Sequence, residues 1–333
     1  MDFPLYSAAF AVFSIGTYAL LDGFDLGVGT LLLLQRDEKA RDRMIAAIMP
    51  TWDGNETWLI MAGIELFAGF PTAYGVLLPA LYVPLIAMLL ALGLRGVSFE
   101  FRYQTTKARR WWDRLFAFGS ILAAFAQGAC VGGLISGVAT GQGAFIGGPF
   151  DWFNAFSVLF GFTSLTGYAL LGAGWLHFKG QGQTRVFAQQ SLAWIAPIFL
   201  LAASATCLAA ARIQPQLAGV WSRHASFILT LAAIILSTGI LIAWRARSPG
   251  FRFDAEPFAG SLILFASALT GLFLTFIPDV VPFRISIRTA SSPASTQAFL
   301  LLGALFVVPV IIGYSSFSYW VFRGKTPAKG WGE

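Results

Sequence analysis

The chain has 333 residues, 57% of them hydrophobic and 11% charged, whereas a soluble domain carries about 25% charge. Apolar runs of about 20 residues follow one another almost end to end, which marks an all-α polytopic membrane protein. No hydrophilic block is long enough for a soluble domain, so residues 1–333 read as a single integral membrane domain. The net charge of +6 calls for no nucleic acid, because the basic residues sort by side of the membrane.

Nine spanning helices are predicted, over about 5–34, 52–70, 73–97, 115–139, 152–176, 187–211, 222–244, 258–280 and 296–322. Asp2 and the lack of a basic leader predict that the first run is retained rather than cleaved. The connection over about 35–51 reads as a short amphipathic helix on the membrane surface. The stretch 98–114 reads as a basic, aromatic loop, with Trp111 and Trp112 at interfacial depth. The 140–151 connection is Gly-rich, and 281–295 is a Ser-, Thr- and Pro-rich external loop. Of the 22 Lys and Arg, 18 fall in the odd connections and the C-terminal tail, among them Arg36, Arg95, Arg102 and Lys329. The other four are Arg212, Arg223, Arg284 and Arg288. The positive-inside rule then predicts the N-terminus outside and the C-terminus in the cytoplasm.

The candidate functional residues are acids inside apolar runs, where an ionisable group is costly and faces protein or water. Asp22 and Asp25 are three apart and share one face of the first span. Gly23 and Gly27 are four apart and form a small-xxx-small surface for close helix packing. Asp53 and Glu56 open the second span near the same membrane side. Asp25, Asp53 and Glu56 are expected to cluster there and pass protons inward, since a carboxyl's environment can shift its proton affinity. Asp53-x-x-Glu56 equally fits a capping box with Asp in place of Ser or Thr. For Asp22 an interhelical salt bridge to a basic loop residue is the competing account. Glu65, deeper in the second span, reads as a buried carboxyl of open role. Glu100 and Arg102 read as an interfacial ion pair.

His177 and His224 are the two histidines, and both are expected at helix ends. Axial haem ligands are usually His, Met or Cys, and no Met visibly pairs with either histidine. Cys130 and Cys207 lie in different runs without a CxxC and read as isolated thiols. No phosphate-binding loop, dinucleotide fingerprint or metal-ligand motif is present, so no metal site is expected in this chain.

At Gly23-Phe24-Asp25-Leu26-Gly27-Val28-Gly29, at Trp52-Asp53-Gly54-Asn55-Glu56-Thr57-Trp58 and at Phe99-Glu100-Phe101-Arg102 the chain resembles subunit II of the bacterial cytochrome bd quinol oxidases. The last stretch and the compact length resemble the cyanide-insensitive branch. The resemblance implies a multi-pass protein of the bacterial inner membrane, with two four-helix bundles and one peripheral helix. It implies a complex that oxidises quinol and reduces O2 to water with cytoplasmic protons. Haem b and haem d would be held mainly by the partner, subunit I. A structural quinone and a small single-helix accessory subunit occur in some such complexes. Asp53 maps to proton delivery, Trp58 to a hydrophobic O2 route and Asp25 to a plausible partner in proton uptake, while Glu65 inherits no role. The competing functional reading is a self-contained proton-coupled transporter, but no paired interrupted helices mark a midplane site. A purely structural scaffold would make every acid dispensable.

Overall fold

The computed structural model describes residues 2–105, 107–248 and 251–327; Lys329, counted above as a tail charge, lies outside them. The chain runs α1 (Phe3–Leu32), α2 (Glu38–Ala46) and α3 (Trp52–Ile64), which passes into a π turn over Glu65–Gly69. Then come α4 (Pro71–Gln104), α5 (Arg109–Ser136), a hairpin of β1 (Thr140–Gly141) and β2 (Ala144–Phe145), and α6 (Ala155–Lys179). The second half holds α7 (Gly182–Ile213), α8 (Pro215–Arg223), α9 (Ala225–Arg247) and α10 (Glu256–Phe276). A second hairpin, β3 (Asp279–Val281) with β4 (Ile285–Ser286), leads through α11 (Ile287–Ala290) to α12 (Ala294–Val321).

Among the described residues eight helices are long and apolar enough to cross a bilayer: α1, α4, α5, α6, α7, α9, α10 and α12. The predicted second span is instead a 13-residue α-helix continued by a 5-residue π turn, about 27 Å at 1.5 Å per residue. Helices α1, α3, α4 and α5 pack as one group, and α6, α7, α9 and α10 close a second ring. The groups meet where α1 and α5 lie on α6, and α12 rides outside on α1, α3 and the π turn.

Glycine sets the seam between the groups. A Cβ on Gly27 would fall on the Tyr168 carbonyl, and one on Gly172 would fall on the Gly27 backbone. A Cβ on Gly23 would meet the Tyr168 ring. The small-residue face foreseen on the first span thus packs against α6, where two backbones touch without side chains between them.

Three expectations are corrected. The 98–114 stretch is not a loop, because α4 runs to Gln104 and α5 begins at Arg109, leaving a short turn. Arg95 and Arg102 therefore lie within α4, each 1% exposed. Charge did not end the helix because each guanidinium finds carboxylates inside the protein. Secondly, α2 forms where predicted, with Asp37 capping Ala40 N–H. Its Met44 and Ile45, however, are buried in the protein core rather than laid on lipid. The Trp175 indole donates to the Ala47 carbonyl at 3.0 Å and ties the α2–α3 turn to α6. Thirdly, Glu100 is exposed, and Arg102 pairs instead with Asp113 and Asp42, both at 2.5 Å.

Candidate functional site

The site lies where α1, α3 and α4 converge. Asp22 and Asp25 project from one face of α1, and both are fully buried. From α4, Arg95 Nη2 donates to Asp22 Oδ1 at 2.7 Å and also to Glu56 Oε1 on α3. The Trp52 ring lies 5.9 Å from the Arg95 guanidinium carbon and covers it from α3. One guanidinium thus bridges two carboxylates from two other helices. The bridge answers the desolvation of the ions with mutual attraction and directed hydrogen bonds.

Asp25 is served separately. Asn55 Nδ2 on α3 donates to Asp25 Oδ2 at 2.8 Å, and the Tyr319 hydroxyl on α12 donates to Asn55 Oδ1 at 3.0 Å. Asn55 and Tyr319 also line a small opening between α3 and α12, with Thr51 and Ser318 at its rim. A polar relay therefore reaches from that seam to the carboxyl buried in α1. Below Asp22, Gln127 of α5 links the hydroxyls of Tyr18 and Tyr168, donating at 2.8 Å to one and accepting at 2.7 Å from the other.

The acids foreseen from the sequence divide. Asp22 and Glu56 join the Arg95 cluster, and Asp25 sits on the same face of α1 with Asn55 as its donor. Asp53 does not enter the cluster: it is exposed in the first turn of α3. Nor does it cap that helix, whose N-cap is Thr51 with no side-chain cap bond, and Glu56 turns to Arg95 rather than back to a cap. The basic partner of Asp22 is an intramembrane helix residue, not a loop residue. Trp58 is buried, with Phe13 edge-on at 5.4 Å. Glu65 is buried at the start of the π turn. Sequence reasoning missed Arg95 as the hub, and with it Asn55 and Tyr319. The usable signal was an unbroken run from Pro71 past Arg95, with no Gly-Pro stop, which places the arginine inside the helix.

His177, at the end of α6, turns Nδ1 to the Asp254 carbonyl at 3.3 Å and packs its ring on Phe251. His224 is exposed at the end of α8. Cys130 and Cys207 are unpaired thiols on α5 and α7. Among the described residues no group of three or more His, Cys, Asp or Glu could hold a metal ion.

Helical crossings around a buried Arg–carboxylate cluster define a polytopic membrane protein with ionic chemistry in its interior. The profile of the cytochrome bd terminal oxidase subunit II family matches residues 3–322, and the chain belongs to that family. It is a subunit of a terminal quinol oxidase, an oxidoreductase complex of the inner membrane, and as subunit II it has a subunit I for partner. The Bacillus subtilis cytochrome bd ubiquinol oxidase subunit 2 is 28% identical over 96% of this chain and 95% of its own length. The Escherichia coli K12 cytochrome bd-I ubiquinol oxidase subunit 2 is 28% identical over 92% of this chain and 91% of its own. A chain of the bd oxidase structure from Geobacillus thermodenitrificans has the same fold, with a TM-score of 0.78, 16% identity and coverage of 97% of this chain and 99% of that one.

Proposed function

We propose that this subunit supports haem chemistry held by subunit I and contributes proton access to it through the buried cluster. The observation that carries the reading is the group of three carboxyls, Asp22, Asp25 and Glu56, around one guanidinium, Arg95. One positive charge leaves two carboxyls without a fixed counter-charge, so the cluster can hold protons and release them. The Tyr319–Asn55 hydrogen bonds orient the Asp25 carboxyl toward the α3–α12 seam, and Asp25 itself is the group that takes up and releases the proton there.

Asp53 has a different place in the reading. It shares an exposed stripe with Ile60 and Ile64 of α3 and Phe67 of the π turn. A carboxylate beside such a stripe suits an aqueous boundary or a protein partner better than lipid. We assign that face to subunit I and Asp53 to the hand-over of protons. Trp58, buried against Phe13, belongs to the O2 route in the same scheme. Haem b and haem d belong to subunit I in the same scheme, as the family resemblance implies; His224 is exposed, and His177 is buried at the end of α6 with Nδ1 on the Asp254 carbonyl. A structural quinone and a single-helix accessory subunit are compatible additions rather than requirements.

The chain spans the membrane nine times in this scheme, counting α3 with its π turn, with the N-terminus outside and all crossings in one integral domain. The basic excess on one side supports that orientation. The test is made on the intact oxidase. Asp25→Asn and Asp53→Asn should each leave the haem absorbance in place while O2 consumption falls on the order of 10²-fold, the scale of a lost proton-transfer group. Full turnover in both variants would remove proton access from the account.

A further inference from the structure

We propose that the cavity where the end of α1 meets α2 and α5 binds the phosphate-bearing headgroup of an anionic membrane lipid. The cavity measures about 310 Å³, within the range of small-molecule sites, about 300–1,000 Å³. Four guanidinium side chains line it, those of Arg36, Arg41, Arg110 and Arg114. Its one lining carboxylate, Asp113, is already committed: Oδ2 accepts from Arg41 at 3.1 Å and Oδ1 from Arg102 at 2.5 Å. Among the described residues Arg36, Arg110 and Arg114 form no salt bridge. The cavity therefore concentrates positive charge with no internal anion left to balance it. Guanidinium forks match phosphate oxygens in charge and in geometry.

The surroundings decide between a lipid phosphate and a free one. Leu33 lines the cavity and, with Leu34, is about half exposed. On α5 the exposed face continues from Trp111 through Arg114 to Phe118, residues three and seven apart on one side of the helix. The Arg114 guanidinium carbon lies 5.1 Å from the Trp111 ring centroid. A cationic cavity thus adjoins exposed apolar side chains, Leu33 and Leu34 at the end of α1 and Phe118 on α5, on helices that span the bilayer. An anionic phospholipid fills both parts at once, headgroup in the cavity and acyl chain along those side chains. A free phosphate would satisfy only the first.

The experiment uses the assembled oxidase exchanged into nanodiscs of phosphatidylglycerol and phosphatidylethanolamine, with bound lipid counted by native mass spectrometry. The triple variant Arg36→Gln, Arg110→Gln, Arg114→Gln is compared with the parent; Arg41 is kept because it braces Asp113. The expected result is retention of phosphatidylglycerol about 10²-fold weaker, the effect of removing three interfacial charges, with phosphatidylethanolamine unchanged. An unaltered haem spectrum reports assembly. If the triple variant does not assemble, Arg114→Gln and Arg110→Gln are measured singly against the same readout, each expected to weaken phosphatidylglycerol retention. Equal phosphatidylglycerol retention by parent and variants overturns the proposal. Displacement of the lipid by excess inorganic phosphate assigns the cavity to a free anion and overturns it as well.

Discussion

Arg95 Nη2 lies 2.7 Å from Asp22 Oδ1 with both side chains out of water, although 73 residues separate them. The pair joins α4 to α1, and Glu56 brings α3 to the same guanidinium. Arg95→Leu strands the buried Asp22 carboxylate and the partly exposed Glu56, and loss of one partner of a buried pair costs about 3–5 kcal/mol. The variant complex should melt earlier than the parent. Adding Asp22→Leu should recover part of the loss, because removing both ions is cheaper than removing one. A thermal-melt double-mutant cycle reads the coupling, and additive losses would deny it.

At the seam between the helical groups, Gly27 faces the Tyr168 carbonyl and Gly172 faces the Gly27 backbone. Gly27→Val places methyl groups where backbone already lies. Overpacking of this kind costs about 1–3 kcal/mol when neighbours can yield, and backbone yields less than a side chain. The expected result is a destabilised subunit and a lower yield of assembled complex. Gly303→Ala on α12 is the control, since nothing lies within 4 Å of its added Cβ.

Asp113 holds Arg41 and Arg102 together at the ends of α2, α4 and α5. Asp113→Asn keeps the shape and removes the charge that neutralises them. A loss of roughly 3 kcal/mol is expected, the scale for breaking a buried ion pair. Because Asp42 still pairs with Arg102 and Arg109, the loss should stay below that of Arg102→Leu. Chemical or thermal melting of the two variants side by side checks the order.

The C-terminal segment is pinned by Asp254, which takes Lys325 at 2.8 Å and Arg185 at 2.5 Å. The hydrogen bond from Lys325 holds the Asp254 carboxyl below the usual carboxylate range. A lowered folded-state value means that the contact stabilises above the unfolded value, near 3.9. That contribution is lost as pH falls through the folded value. The tail should therefore resist pepsin at pH values where ordinary aspartates are already protonated, and release on further acidification. Asp254→Asn should be cleaved throughout that range; cleavage equal to the parent's would show that the pair does not hold the tail.

Composition and hydropathy made the membrane class legible, because a bilayer accepts only segments whose backbone is satisfied internally and whose side chains are apolar. The motifs around Gly23–Gly29 and Trp52–Trp58 carried the family resemblance, and the acids in the first two spans stood out through their cost in an apolar run. These are local properties of the chain. Which charge meets which acid is not local. Arg95 and Arg102 looked like the end of a span, because a charge after a long apolar run reads as the water boundary. Only the packing of α4 on α1 and α3 around Arg95, and on α2 and α5 around Arg102, shows that each lies inside the helix with partners from elsewhere in the chain. For the same reason Asp53, adjacent in sequence to the cluster, points away from it, while Asn55 and the distant Tyr319 serve Asp25. That acids lie within the apolar runs of this membrane protein is written in the order of its residues. The tertiary structure decided their partners, because the free energy of a buried charge depends on the groups within a few ångströms of it, and helix packing chooses those groups.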